Sequence, residues 1–120
     1  MTINVYNIAE DCAKEIMCGY RRECWAESDL YDMAWIHANS SQYTMWADNA
    51  HDFVKALPRN IATQAEEDAW EFSDCESISY DKLAREISKY ALVELILEAV
   101  AEHYADRVVS DKYATEQGSE

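Results

Sequence analysis

Two glycines and one proline in 120 residues leave little material for tight turns. Sheets built from many hairpins need both residue types, so this scarcity argues for long helices. No apolar run approaches the roughly 20 residues that a membrane-spanning helix needs. The start, Met1-Thr2-Ile3-Asn4, lacks a basic region followed by an apolar stretch, so no signal peptide is expected. Two glycines cannot supply a phosphate-cradling loop or a dinucleotide fingerprint, and there is no HExxH. Bases are also scarce: ten lysines and arginines stand against 24 acids. Without a basic patch, direct binding to nucleic acid is not expected, and an anionic membrane would repel the chain.

What remains is enough for one domain. Hydrophobic residues make up 49% of the chain, too many for a disordered segment. The four cysteines, Cys12, Cys18, Cys24 and Cys75, match no zinc or redox spacing. Residues six apart on a helix point in different directions. The cysteines are therefore expected to be reduced, mostly buried, small apolar residues in a cytoplasmic protein.

The hydrophobic pattern predicts an all-α fold, a compact bundle of four to five helices. Residues 4–24 carry Val5, Ile8, Cys12, Ile16 and Tyr20 at helical spacing. Ser28 or Asp29 can cap a second helix, with Leu30, Met33, Ala34 and Ile36-His37 turned inward or partly so, and Trp35 on the opposite face. Asn39-Ser40-Ser41 breaks it. A third helical segment runs from Tyr43 through Trp46, Ala50 and Phe53 to Leu57, where Pro58 ends it. Thr63-Gln64-Ala65-Glu66 reads as a capping box, opening a short helix to about Phe72. Residues 73–77 read as a loop. The last helix is expected from Ser79 to about Val108, apolar nearly all round in its middle and hence central to the bundle. The predicted domain covers 1–109, followed by a polar flexible tail over 110–120.

The net charge of −14 is unevenly placed. Between Glu23 and Val54 stand Glu23, Glu27, Asp29, Asp32, Asp48 and Asp52, with no lysine or arginine. Between residues 66 and 76 stand Glu66, Glu67, Asp68, Glu71, Asp74 and Glu76, again with no base. Like charges so close cost stability. Helical residues rise 1.5 Å each, and a DNA duplex carries one phosphate per roughly 1.7 Å of axis, so the second cluster offers a similar field. Against this stands a plainer reading, a solvated face on which acids in a helix's first turn also favour the dipole. Trp70 lies inside the cluster, and four tryptophans with eight tyrosines exceed the needs of one small core. An exposed ring beside carboxylates suits an arginine-rich partner.

Other chemistry has less behind it. Asp48-x-x-His51 places two metal-ligand types one turn apart, but carboxylate-bridged sites in bundles take about four acids and two histidines. Cys18 or Cys24 could pair with His37, but no spacing supports it. His37, His51 and His103 read as polar edge residues. Glu94, Glu98 and Glu102, four residues apart, read as the solvent stripe of the last helix.

The stretch Ala34-Trp35-Ile36-His37-Ala38-Asn39-Ser40-Ser41-Gln42-Tyr43-Thr44-Met45-Trp46-Ala47 resembles a pattern in small proteins of phages and mobile elements of proteobacteria. In that pattern an Ile-His precedes a polar break, then Tyr-Thr or Tyr-Tyr and a helix. Here Ala38-Asn39 replaces the usual acidic-glycine turn. Many such acidic phage proteins are counter-defence factors, of anti-CRISPR or anti-restriction type. The resemblance implies a cytoplasmic inhibitor in a bacterial host and carries over no catalytic residue.

The expectation is therefore a non-enzymatic DNA mimic, without cofactor or metal, that blocks the basic nucleic-acid channel of a defence complex such as a CRISPR effector. The partner-binding residues expected are Glu66, Glu67, Asp68, Trp70, Glu71, Asp74 and Glu76, then Asp29, Asp32, Trp46, Asp48 and Asp52. The alternative is a helical adaptor or homodimer that binds through its aromatic surface.

Overall fold

The computed structural model describes residues 3–19, 23–72 and 79–109. These form five helices of ten residues or more, one single-turn helix and a short pair of parallel strands. In chain order they are α1 (Val5–Gly19), β1 (Trp25–Ala26), α2 (Glu27–Ser40), α3 (Gln42–Met45), α4 (Ala47–Ala56), α5 (Arg59–Phe72) and α6 (Tyr80–His103). A 3-10 turn at Ala105–Arg107 and β2 (Val108–Val109) complete them. The fold is the expected all-α bundle around a long apolar C-terminal helix. No helix among the described residues is long and apolar enough to cross a membrane.

α6 is the centre because its apolar residues surround it. Ile87, Leu92, Val93, Leu95, Ile96 and Val100 are all buried, and they point in several directions around one helix. α1, α2, α4 and α5 each pack against it. Ser79 caps α6 by accepting from the Lys82 amide at 3.2 Å. Buried Ser88 donates its hydroxyl hydrogen to carbonyls of both its neighbours, Ala84 at 2.7 Å and Ala50 of α4 at 3.2 Å.

α6 ends at His103, five residues before the expected limit. Beyond Tyr104 the β-branched pair Val108-Val109 lies alongside Trp25-Ala26 instead of continuing the helix. Arg107 secures this return. Its guanidinium donates to the carbonyl oxygens of Glu23 at 3.1 Å and Met17 at 2.9 Å. Met17 lies in the last turn of α1, where carbonyls lack helical partners and a cation is favoured.

Several local expectations are corrected. α1 stops at Gly19, not 24, and its inner face is Val5, Ala9, Ala13, Ile16 and Met17, with Ile8 and Cys12 half-buried. Tyr20 lies outside the described residues. Neither Ser28 nor Asp29 begins α2: the helix starts at Glu27, behind Ala26, which offers no side-chain cap. The strand pairing fixes its entry instead. Leu30, Ala34 and Ala38 form its buried stripe, while Ile36 is 55% exposed. Trp35 is half-buried against the core, edge-on to Tyr90 at 4.8 Å. The segment from Tyr43 to Leu57 is not one helix. Ser41 and Trp46 are extended and frame the single turn of α3. Buried Thr44 explains the interruption, because its hydroxyl donates to the carbonyls of Ala38 and Ser41 and ties α3 back onto the end of α2.

Cysteine burial is also overestimated by composition. Cys18 and Cys24 are exposed and Cys12 is half-buried; all three are free thiols. Cys75 is outside the described residues. Burial, then the nearby Glu15 and Asp11, pushes the Cys12 thiol up to about 11.

Candidate functional site

The dense acidic segment falls largely on α5, and the helix is built differently from the capping-box reading. After Leu57, extended at φ −70° and ψ 143°, Pro58 precedes the first helical residue, Arg59. Ala62 already donates its amide to the Pro58 carbonyl at 2.9 Å. Thr63 is therefore inside the helix, where its hydroxyl donates back to the Arg59 carbonyl at 2.8 Å. No acid occupies the first turn of α5 and no base its last. Glu66, Glu67 and Asp68 thus gain nothing from the dipole at the N-terminus. Glu71 sits in the last turn, where the dipole opposes a negative charge.

The helix divides cleanly. Ile61, Ala65 and Ala69 are buried, and the small residues let α5 approach α6 closely. Thr63, Glu66, Glu67, Trp70 and Glu71 line one shallow outer concavity, spanning roughly 140° of the helix circumference. Trp70 is 38% exposed there. Asp68 is off this face, half-buried, accepting from the Gln64 side chain at 3.2 Å. Among the described residues no lysine, arginine or histidine forms an ion pair with Glu66, Glu67 or Glu71. Asp74 and Glu76 lie outside the described residues.

The remaining expected residues are placed on two other helices. Asp29 and Asp32 are exposed on α2, and Asp48 and Asp52 are exposed one turn apart on α4. Trp46, just before α4, is the more open ring at 65%. α2 and α5 share one side of α6. There Tyr90 meets Trp35, and Trp35 meets Tyr31 edge-on at 6.2 Å. The Tyr90 phenol is held above its ordinary value, first by burial, then by the charge of Glu86 and by Tyr31, Asp68 and Glu71. α4 contacts α6 at Ser88, which points roughly 160° away from Tyr90 around the helix. The α5 acids therefore adjoin the aromatic residues of α2, while Asp48, Asp52 and Trp46 belong to a different side.

No protein-family model, curated protein or solved structure matches this chain.

Composition and spacing did not reveal the aromatic group Tyr31, Trp35 and Tyr90. Tyr31 and Trp35 are one turn apart, a signal for a shared face, but only the fold supplies Tyr90. Pairs between elements were equally hidden. His51 Nε2 is 2.8 Å from Asp81, His103 is 3.6 Å from Glu10, and His37 is 3.9 Å from Glu15. Glu94, Glu98 and Glu102 are exposed along α6, as their spacing indicated. Among the described residues no group of three or more histidines, cysteines or acids is arranged to hold a metal ion.

Proposed function

We propose that this protein is a non-enzymatic inhibitor of a bacterial defence complex, of anti-CRISPR type, which occupies a basic nucleic-acid channel by mimicking DNA. The observation that carries this reading is the outer face of α5. Glu66, Glu67 and Glu71 stand in solvent around Trp70, without cationic partners among the described residues, on a helix whose dipole does not favour them. Such a face costs stability: the Glu67–Glu71 pair alone costs about 0.2–0.5 kcal/mol. A channel lined with arginine and lysine would offset that cost on binding, and Trp70 would supply apolar area and a π face for a guanidinium.

The test combines charge reversal with capture. Tagged protein incubated with lysates containing CRISPR or restriction complexes, treated with nuclease, should retain a nucleic-acid-binding complex at low salt and release it at high salt. The captured complex should no longer hold target DNA. The triple variant Glu66→Lys, Glu67→Lys, Glu71→Lys should lose inhibition while keeping its helix content. A folded triple variant that inhibits normally removes this face from the mechanism.

A second reading has its own observation. Ile36 on α2, Met45 on α3 and Trp46 just before α4 are each more than half exposed, and apolar side chains of this size in solvent offer a partner area to bury. An adaptor or homodimer using these residues would bind nearly as well in high salt as in low, the opposite of mimicry.

A further inference from the structure

A cleft of about 660 Å³ opens between α2, the C-terminal end of α6 and the returning chain. Its floor is apolar: Leu30 from α2, Leu97 and Val100 from α6, and Val108 from β2. Ala101 and Ala105 keep it open, because each contributes only a methyl group where a larger side chain would fill the space. Its wall is fastened rather than loose. The β1–β2 pairing and the two hydrogen bonds of Arg107 hold Val108 in position.

Among the described residues the rim has a single sign. Glu27 and Asp32, both exposed and roughly 7.5 Å apart along the axis of α2, line the cleft together with the Ser28 and Tyr31 side chains. Among the described residues no lysine, arginine or histidine lines it. A volume of this size falls within the range of ligand-binding clefts. Apolar floor and carboxylate rim together select an apolar group carried beside positive charge and reject the same group beside negative charge.

We infer that this cleft binds a basic peptide segment of a partner protein, seating a leucine- or valine-sized side chain on the Leu30–Leu97–Val100 floor while flanking arginine or lysine side chains pair with Glu27 and Asp32. No α5 residue lines the site, and it does not depend on the DNA-mimic reading.

The test uses the full chain and three short amidated peptides, Arg-Leu-Leu-Arg, Glu-Leu-Leu-Glu and Arg-Ser-Ser-Arg, titrated at low salt and followed by methyl NMR. The arginine–leucine peptide should shift the methyl resonances of Leu30, Leu97, Val100 and Val108 and leave those of Ile16 and Ile61 in place. The other two peptides should bind at least tenfold more weakly. Ala101→Trp, which fills the cleft from an exposed helical position, should abolish the shifts. Glu27→Gln with Asp32→Gln, a surface change that does not touch the core, should weaken binding roughly tenfold. Equal binding of the glutamate–leucine or arginine–serine peptide overturns the proposal, as do shifts that survive a folded Ala101→Trp variant. So does concentration-dependent self-association that shifts the same methyl groups without peptide, since a second copy would then be the occupant. Because no defence complex enters the experiment, its failure leaves the α5 proposal standing, and the loss of that proposal leaves this one.

Discussion

Thr44 shows how much one hydroxyl can decide. It is fully buried, and its hydroxyl donates to the Ala38 carbonyl in the last turn of α2, where helical partners have run out. Thr44→Val keeps the shape and removes the hydrogen bond, leaving that carbonyl unsatisfied. A loss of about 1–3 kcal/mol is expected in urea denaturation. A change within a few tenths would mean that the carbonyl finds another partner. Cys12 tests a second residue-scale statement. With its thiol pushed up to about 11, roughly one molecule in a thousand carries the thiolate at pH 8. Iodoacetamide at that pH should label exposed Cys18 and Cys24 well before Cys12, as read by peptide mass mapping. Equal labelling of all three would show that Cys12 is not shielded by the fold.

Among the elements, α6 and α5 mark the two ends of what could be read from the chain. The middle of α6 is apolar nearly all round, broken between Ala91 and Leu97 only by Glu94, so its place at the centre was legible, as was its start near Ser79. The start of α5 was not. Thr63 with Glu66 satisfies the pattern of a capping box, but Pro58 already provides a helix start five residues earlier, and the earlier nucleus wins. Thr63→Ala should therefore leave far-UV helicity and stability nearly unchanged, whereas the loss of a true cap would cost about 1 kcal/mol. The two-residue strands were illegible for a different reason. Trp25-Ala26 and Val108-Val109 are more than 80 residues apart, and no local pattern announces such a pair. The candidate face on α5 was legible as composition, while its separation from Asp48 and Asp52 required the packing around α6. Arg107 is the element-scale fastening, and Arg107→Ala should cost about 1–3 kcal/mol. Amide exchange should quicken at residues 25–26 and 108–109 while the middle of α6 stays protected. Uniform quickening would mean that the return strand is part of the global core.

Across the whole molecule, a net charge of −14 on 120 residues opposes compaction. Added monovalent salt screens that repulsion, so the melting temperature should rise by roughly a few degrees between 10 and 500 mM sodium chloride. The same salt should weaken capture of a basic partner. Opposite responses of stability and binding to one variable would mark a surface whose charge serves association at the expense of the fold. If both were flat, the acids would be acting only as a solvated coat.

The radial packing of α1, α2, α4 and α5 on α6 has a consequence for synthesis. The hub is translated after all of its spokes. Until residues 80–103 have left the ribosome, the apolar stripes of the earlier helices lack the surface they pack against in the finished protein. Nascent chains arrested before that point should remain sensitive to protease and available to chaperones, and protection should arrive late and in one step.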